Sequence, residues 1–177
     1  MQKDIDDAKR VCGILSIPYE IIDISGIYDS FSKALNPQKD ITKINISPRI
    51  RMTLLYAAAQ EKNYLVCGTG NRSERFVGYF TKFGDGAFDV NPIGEYTLTE
   101  VIALGRELGL PEDLIIKPPS DGISGKTDEE NMGILYKDLD EYLLTGKLAD
   151  AKKLEKILTL NRRNLHKTAG ANIYKRQ

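Results

Sequence analysis

The chain has 177 residues, and its 25 Lys and Arg balance its 25 Asp and Glu, giving a formal net charge of zero. This length fits one domain, residues 1–177, and a neutral chain lacks the broad basic field that binds nucleic acids. Cys12 and Cys67 are too few for a disulfide framework or a zinc site, so ordinary thiols in the cytoplasm are expected. No apolar run predicts a membrane span, and the polar start does not resemble a signal peptide.

The first part of the chain predicts helices that alternate with strands. Apolar residues recur at helical spacing over 4–15, and a β-branched run at 19–24 predicts a strand. A second helix is predicted over 27–35. Ser47-Pro48 predicts the start of the clearest helix, because Ser is a good N-cap and Pro fits the first helical position. A buried strand at 64–67 then leads into a glycine-containing loop.

The second part of the chain is rich in loops. Residues 69–98 are glycine-rich, and a loop of that length in a compact domain is typically functional or disordered. Capping patterns at Thr97 and Thr127 predict two further helix starts, and helices are predicted over 136–144 and 150–164. This order of elements predicts an α/β domain with loops at one edge of the sheet, where ligands bind.

Charged residues near these loops are candidates for binding an anion or a metal. Arg49 and Arg51 fall in the first turns of the predicted helix, where cations are unfavourable unless an anion binds, although they could equally reach into solvent. Glu74 could hold magnesium together with phosphate oxygens, or form a surface ion pair with Arg72 or Arg75.

Other polar residues have no decisive local pattern. Lys82, Asp85 and Asp89 crowd the loop 81–89 without the spacing of a calcium loop, and aspartates in turns commonly act as caps. Ser120 lacks the context of a nucleophile elbow, and the single histidine, His166, lacks triad partners. No Walker A or Rossmann string is present. The residues themselves therefore indicate an α/β domain with an anion-friendly loop edge and leave the ligand open.

A long series of motifs extends this interpretation. The chain contains G-T-G-N-x-S-E-x-x-x-G-Y-x-T-x-x-G-D at 68–85, then Asn91-Pro92, then P-S-D-G at 119–122 and T-D-E at 127–129. In this series, and over roughly residues 1–170, the chain resembles the ammonia-dependent NAD synthetases of the ATP pyrophosphatase superfamily. The resemblance implies an open, mostly parallel sheet with flanking helices, like that of the adenine-nucleotide α-hydrolases, and a homodimer.

The resemblance also implies a two-step ligase reaction. ATP adenylates the carboxylate of deamido-NAD, and ammonia then displaces AMP to give NAD, while Mg²⁺ offsets phosphate charge. By position, the implied ATP contacts are Thr69 and Ser120, the implied magnesium ligand is Glu74, and the implied deamido-NAD contacts are Arg49, Lys82, Asp89, His166 and Lys167.

One family element is not found in the sequence. The family begins with a strand, an SGGxDS loop that cradles pyrophosphate, a helix and a second strand, and no such string occurs here, which predicts an N-terminally truncated domain that lacks the first two strands. In the family's sheet these strands lie between the ones predicted at 19–24 and 64–67. We expect those two to pair directly, to receive strands from a partner, or to be exposed edges.

Three functions follow from this departure. The chain is a truncated or divergent synthetase, a non-catalytic dinucleotide-binding module that has lost the ATP pyrophosphate loop, or a partner subunit whose missing strands come from a second polypeptide.

Overall fold

The computed structural model describes residues 2–120, 125–171, 173, 174 and 176. Its helices in chain order are α1 Gln2–Ile14, α2 Ser25–Leu35, α3 Asp40–Lys62, α4 Arg72–Val77, α5 Leu98–Glu107, α6 Glu112–Ile115, α7 Asp128–Met132, α8 Tyr136–Thr145 and α9 Ala151–Thr168. The helices predicted at 4–15, 27–35, 136–144 and 150–164 are confirmed within a few residues at each end. None of the helices in the described part of the chain is long and apolar enough to cross a bilayer.

Capping boxes fix the starts of three short helices. In each, the N-cap side chain accepts a bond from the N3 backbone, and the N3 carboxylate accepts one from the N-cap backbone. The pairs are Asn71 with Glu74 in α4, Thr97 with Glu100 in α5, and Thr127 with Glu130 in α7. Each box satisfies two backbone donors that a helix start leaves open. The two starts predicted at Thr97 and Thr127 are confirmed.

Helix α3 begins earlier than the sequence predicts. It spans Asp40–Lys62, so Pro48 lies inside the helix and Ser47 is not its cap. Proline removes one backbone donor from the helix interior, which is normally unfavourable. Here Pro48 is buried between Ile46 and Ile50, and burial of this apolar group offsets the loss. Arg49 and Arg51 are therefore not first-turn residues, and the predicted anion site at this helix start is wrong.

The predicted sheet is not formed by the described residues. Segments 19–24 and 64–67 belong to no helix and to no strand, and no backbone hydrogen bond joins one to the other. The isolated bridges found pair Cys67 with Val90 in parallel and Ser120 with Thr127 antiparallel. A β-branched run becomes a strand only when a neighbour pairs with its backbone. Direct pairing of the two segments, one of the three alternatives, is therefore not observed among the described residues.

The apolar core lies between α4, α7, α8 and α9. Leu139 and Ile157 are completely buried at its centre, next to Val77 of α4. The rings of Phe76 and Tyr142 pack edge to face against it, with centroids 5.9 Å apart. This packing fixes α4 against α9, the two helices that carry three of the predicted site residues.

Helix α1 is attached differently, through ion pairs. Its side chains include none that are buried. The Lys117 ammonium lies 2.7 Å from Asp4 and 2.6 Å from Asp7, and the Arg10 guanidinium lies 2.6 Å from Asp113. Ion pairs at the surface stabilise weakly, by about 0–1 kcal/mol each, and the Lys117 pairs are only partly buried. The front of the chain is therefore held to the rest mainly by charge.

Gly78, the C-cap of α4, is expected to tolerate no side chain. Its φ is 69°, and an added Cβ would collide with the Cβ of Asn164 in α9. Gly109 has a similar φ of 72° but open space around it. Gly78→Ala should therefore lower the free energy of unfolding by about 1–3 kcal/mol more than Gly109→Ala, because it adds overpacking to backbone strain. Urea unfolding measures both, and equal losses would contradict this close approach.

Candidate functional site

A small cavity opens where the loops after residues 67 and 79 meet the end of α9. Its volume is about 100 Å³, and its lining residues are Gly70, Glu74, Arg75, Phe80, Asp85, Gly86, Phe88, Lys167 and Thr168. Groups of both charges therefore face a glycine-containing space. Such a site suits a ligand that carries negative charge and is accompanied by a cation.

Glu74 is the half-buried carboxylate of this cavity. Its Oε2 accepts the Asn71 backbone N–H at 2.9 Å, which closes the capping box of α4. Loss of hydration raises the pKa of Glu74 to about 7; the negative charges of Asp128 and Asp85 add to this rise, and the Asn71 bond opposes it. A carboxylate in this environment gains from a nearby cation.

The surface ion pair predicted as the alternative role of Glu74 is not what the structure shows. Arg75 instead lies 3.5 Å from Glu95 and donates to the Gly94 carbonyl oxygen at 3.0 Å. Arg72 acts on Glu100, whose pKa is lowered mainly by its bonds to Thr97 and, to a smaller extent, by the Arg72 charge. The Glu74 carboxylate is thus left facing the cavity.

Glu74 fits a magnesium ion only with help from a ligand. Across residues 2–120 and 125–171, no three His, Cys, Asp or Glu side chains come together as a metal site. Magnesium typically uses one or two protein carboxylates and completes its shell with water and phosphate oxygens. The donor set here therefore fits a phosphate-bound magnesium rather than a permanently held ion.

Three of the predicted dinucleotide contacts meet at the turn after α4. Arg49 donates through Nε and Nη2 to the Lys82 carbonyl oxygen at 3.4 and 3.3 Å. The Lys82 ammonium in turn donates to the carbonyl oxygen of His166, near the end of α9. These acceptors are neutral carbonyls, so the bonds position Arg49 and Lys82 without cancelling their charges. Phe83, the residue after Lys82, has a φ of 59°, a strained value for an aromatic residue.

Lys167 joins the same turn to α9. Its half-buried ammonium donates to the carbonyl oxygens of Gly78 at 2.6 Å and Phe80 at 2.8 Å, and it lies 5.4 Å from the Phe80 ring centroid. Burial lowers the pKa of Lys167. The structure therefore gives Lys167 a positioning role that the sequence did not indicate, in addition to its place in the cavity wall.

Asp89 and Thr69 lie next to the parallel bridge between Cys67 and Val90. Asp89 Oδ2 accepts the Val66 backbone N–H at 2.7 Å, and the Gly68 N–H donates to the Val90 carbonyl oxygen at 2.7 Å. Thr69, the next residue, is exposed. The Asp89 carboxylate thus joins the end of the loop 81–89 to the segment before Thr69, and it remains exposed. The local capping bond of this loop belongs to Asp85, whose Oδ1 accepts the Thr81 N–H at 3.0 Å.

Ser120 lies at the mouth of the second loop. It is exposed and bridges to Thr127, while Asp128 donates its backbone N–H to the Pro119 carbonyl oxygen at 2.9 Å. The following Asp and Gly of the P-S-D-G motif lie outside the described residues. The charge of Asp128, at the end of this loop, contributes to the raised pKa of Glu74.

Sequence reasoning missed two buried residues behind the site. Tyr136 donates its hydroxyl to Asp128 at 3.3 Å, and burial raises the pKa of Tyr136, with the Glu74 charge adding to the rise. Asp128 belongs to the quoted T-D-E motif, which was a usable signal. Nothing in the local sequence around Tyr136 shows that its ring is buried.

The two carboxylates of the cavity, Glu74 and Asp85, together with the Lys167 ammonium, fit a phosphate-bearing ligand that is accompanied by a metal ion. Residues 1–177 match the family model for NAD synthase. The NH(3)-dependent NAD(+) synthetase of Carboxydothermus hydrogenoformans is 44% identical over 172 residues, covering 93% of this chain and 70% of that protein. The chain belongs to the NAD synthase family, whose curated members similar to it are ligases.

Solved structures agree with this assignment. The NMN synthetase from Francisella tularensis superimposes with a TM-score of 0.92 at 38% identity, covering 98% of this chain and 74% of that one. The NH3-dependent NAD synthetase from Campylobacter jejuni, solved with a nitrate ion, superimposes with a TM-score of 0.77 at 33% identity, covering 98% of this chain and 72% of that one. The predicted α/β class is therefore that of the relatives, although the described residues form no sheet of their own.

Proposed function

We propose that this chain carries out the ATP-dependent amidation of deamido-NAD with ammonia, giving NAD through an adenylated intermediate. The observation that carries the proposal is Glu74, a cavity carboxylate with a raised pKa, which shares the cavity wall with Lys167, a cation bonded to neutral carbonyl oxygens. Membership of the NAD synthase family supplies the reaction class. The binding-module alternative is not favoured, because the similar curated proteins are named as synthetases.

The ligand contact proposed for each residue follows from the charge or the hydroxyl group of its side chain. Glu74, with phosphate oxygens of ATP, would hold Mg²⁺, which would neutralise the triphosphate and the departing pyrophosphate when bound. The hydroxyls of Thr69 and Ser120, both exposed on loops, would contact ATP. The proposed deamido-NAD contacts are Arg49, Lys82, Asp89, His166 and Lys167.

The reaction balances without a further reactant. The nicotinate carboxylate attacks the α-phosphorus of ATP and pyrophosphate leaves. Ammonia then attacks the acyl carbon, AMP leaves, and one proton is released. Arg49 and Lys82 would orient the anionic dinucleotide for both steps, since each is held by a carbonyl contact and keeps its charge.

The direct test is NAD formation by the purified chain from ATP, Mg²⁺, ammonium and deamido-NAD, with binding of deamido-NAD measured by calorimetry. Turnover, or binding lost in Arg49→Ala, supports the proposal. A chain that shows no turnover and no binding would contradict the proposal.

A second candidate product is NMN, because the Francisella NMN synthetase superimposes more closely than the Campylobacter enzyme. Nicotinate mononucleotide offered in place of deamido-NAD separates the two.

Binding of Mg²⁺ with ATP is expected to weaken as the pH falls through about 7. The pKa of Glu74 is raised to about 7, so the carboxylate form that binds a cation is depleted below that pH. Affinity should fall by about tenfold per pH unit below 7 in wild type. Calorimetric titrations at about pH 6 and about pH 8 measure this change, and Glu74→Gln should lose it.

The raised pKa of Glu74 also determines how the free energy of unfolding changes with pH. A folded-state pKa above the unfolded value favours the protonated carboxyl in the folded chain, so this contribution is full below about pH 4.5 and is lost as the pH rises to about 7. Glu74→Gln should therefore be relatively more stable than wild type above pH 7. A stability gain for wild type over the same rise would contradict the burial of this carboxylate.

We further propose that residues 1–177 act as one domain of a cytoplasmic homodimer. Free thiols at Cys12 and Cys67 are consistent with a reducing compartment. Light scattering on the chain, whose mass is 19.8 kDa, tests the dimer, and a monomer at all concentrations would count against it.

A further inference from the structure

A second cavity lies between α7, α8 and α9. Its volume is about 420 Å³, against about 100 Å³ for the cavity that contains Glu74, and the two share no lining residue. Pockets that hold small organic ligands measure about 300–1,000 Å³ and combine a mostly apolar surface with a few polar groups. The second cavity therefore has the size of a small-molecule site.

The inner surface of this cavity is apolar. Ile157 is completely buried and Ile134 is 6% exposed, and both belong to the core cluster, whereas Leu135 is 48% exposed. An apolar group that enters the cavity removes the exposed part of Leu135 from water, which is favourable. Because Ile134 and Ile157 are fixed by the core, this surface exists before a ligand arrives.

The α7 wall of the cavity is acidic. Glu130 accepts the Thr127 N–H at 2.7 Å and the Thr127 hydroxyl at 3.1 Å, and both bonds go to its Oε2. Glu129 accepts the Tyr136 N–H at 2.7 Å through its Oε1. These donors are neutral, so the two carboxylates keep their charges, and each has a second oxygen that can accept a bond. The α7 wall therefore suits a ligand ammonium.

The α9 wall carries the opposite charge. The Lys156 ammonium donates to the Gly133 carbonyl oxygen at 2.6 Å, and an added Cβ on Gly133 would collide with it. An ammonium has three N–H donors, so this bond leaves Lys156 able to bind a further acceptor. The neighbouring Lys153 lies 2.7 Å from Asp138, and that pair balances its own charge. Lys156 is therefore the cation that suits a ligand carboxylate.

We propose that this cavity binds a free α-amino acid with a large apolar side chain. The ligand ammonium contacts Glu130, the ligand carboxylate contacts Lys156, and the side chain covers Ile134 and Leu135. A residue within a peptide chain lacks both charges and does not satisfy the walls. Thr127 also lines the cavity and bridges to Ser120, so an occupant holds the end of the second loop in place. This inference does not depend on the proposed reaction.

The test titrates the full chain with L-phenylalanine by calorimetry and follows amide exchange by mass spectrometry. Saturable one-to-one binding is expected, with slowed exchange over 127–135 and 153–157. Three fragments each lack one contact: phenethylamine lacks the carboxylate, 3-phenylpropionate lacks the ammonium, and L-alanine lacks the apolar ring. Each should bind at least about tenfold more weakly than L-phenylalanine. The absence of saturable binding, or equal binding of the fragments, overturns the proposal.

Two variants assign the contacts. Lys156→Met keeps the aliphatic stem without the charge, and Glu130→Gln keeps the capping box of α7. Each should weaken L-phenylalanine binding by at least about tenfold. Lys156→Met should leave phenethylamine binding unchanged, because that fragment has no carboxylate to lose a partner. Circular dichroism checks that both variants fold.

Lys152→Met and Glu155→Gln are the matched controls. Both residues are exposed on α9 and line neither cavity, and their substitutions change the net charge by the same amounts. They should bind L-phenylalanine like the wild type. Equal losses in the controls, or slowed exchange at 70–88 in place of 127–135, would overturn the proposal. None of these readouts uses turnover, so a chain that binds L-phenylalanine but makes no NAD counts against the proposed reaction alone.

Discussion

Glu74→Gln is expected to lower NAD formation by on the order of 10²–10³-fold while the fold stays intact. The Glu74 side chain has two functions: it caps α4 through the Asn71 N–H at 2.9 Å, and it presents a negative charge to the cavity. Gln preserves the cap, since the N3 position of a capping box accepts either residue. The substitution therefore removes the charge alone. The rate at saturating ATP and deamido-NAD, measured with increasing Mg²⁺, gives the effect.

Glu100→Gln is the matched control for this experiment. Glu100 holds the same N3 position in α5, where its carboxylate accepts the Thr97 N–H at 2.7 Å, and it does not line the cavity. It should retain the wild-type rate. If both variants kept full activity, Glu74 would be a cap and no more. If Glu74→Gln melted well below Glu100→Gln, its lost activity would report damage to the fold instead.

Asp140→Ala is expected to lower the free energy of unfolding by about 3 kcal/mol, which is roughly 6–12 °C in Tm. Asp140 is 2% exposed and connects three helices. It accepts the Ser73 hydroxyl at 2.5 Å, the Thr99 N–H at 2.8 Å and the Thr99 hydroxyl at 2.7 Å, while Ser73 accepts the Leu98 N–H at 3.1 Å. Alanine would leave buried donors of α4 and α5 without an acceptor.

Glu141→Ala, one residue further along α8, provides the comparison. Glu141 is exposed, so its loss should change stability by about 0.5 kcal/mol or less. Urea denaturation of both variants, monitored by helical circular dichroism, measures the difference. A loss below about 1 kcal/mol for Asp140→Ala would mean that water replaces the missing carboxylate and that this network does not hold the helices together.

The helices could be predicted where the signal is local. Thr97 with Glu100 and Thr127 with Glu130 specify their helix starts within four residues, and both starts are confirmed. Ser47-Pro48 gave an equally local signal and failed, because burial of Pro48 in the interior of α3 depends on packing that the sequence does not display. The strand expected at 19–24 failed for a related reason, since pairing requires a partner distant in the chain.

The candidate site likewise combines features that have a local sequence signal with features that depend on packing. Motif spacing indicated Glu74, and the structure puts its carboxylate in the cavity wall. The two carbonyl bonds of Lys167 could not be foreseen, because they depend on how the turn after α4 packs on α9. The proximity of Asp128 to Glu74 likewise comes from the return of a loop across more than fifty positions, although its T-D-E motif was visible.

The placement of the core has a consequence for cooperativity. The buried cluster belongs to α4, α7, α8 and α9, whereas α1 is attached through ion pairs of its Asp4 with Lys117 and of its Arg10 with Asp113. Opening free energies should therefore differ along the chain, with the front detaching in a sub-global event well before global unfolding, and more readily as salt screens the ion pairs. Glu74 and Lys167 lie on the strongly packed side. The ligand-binding wall would thus persist in a partly opened molecule whose first helix has already come away.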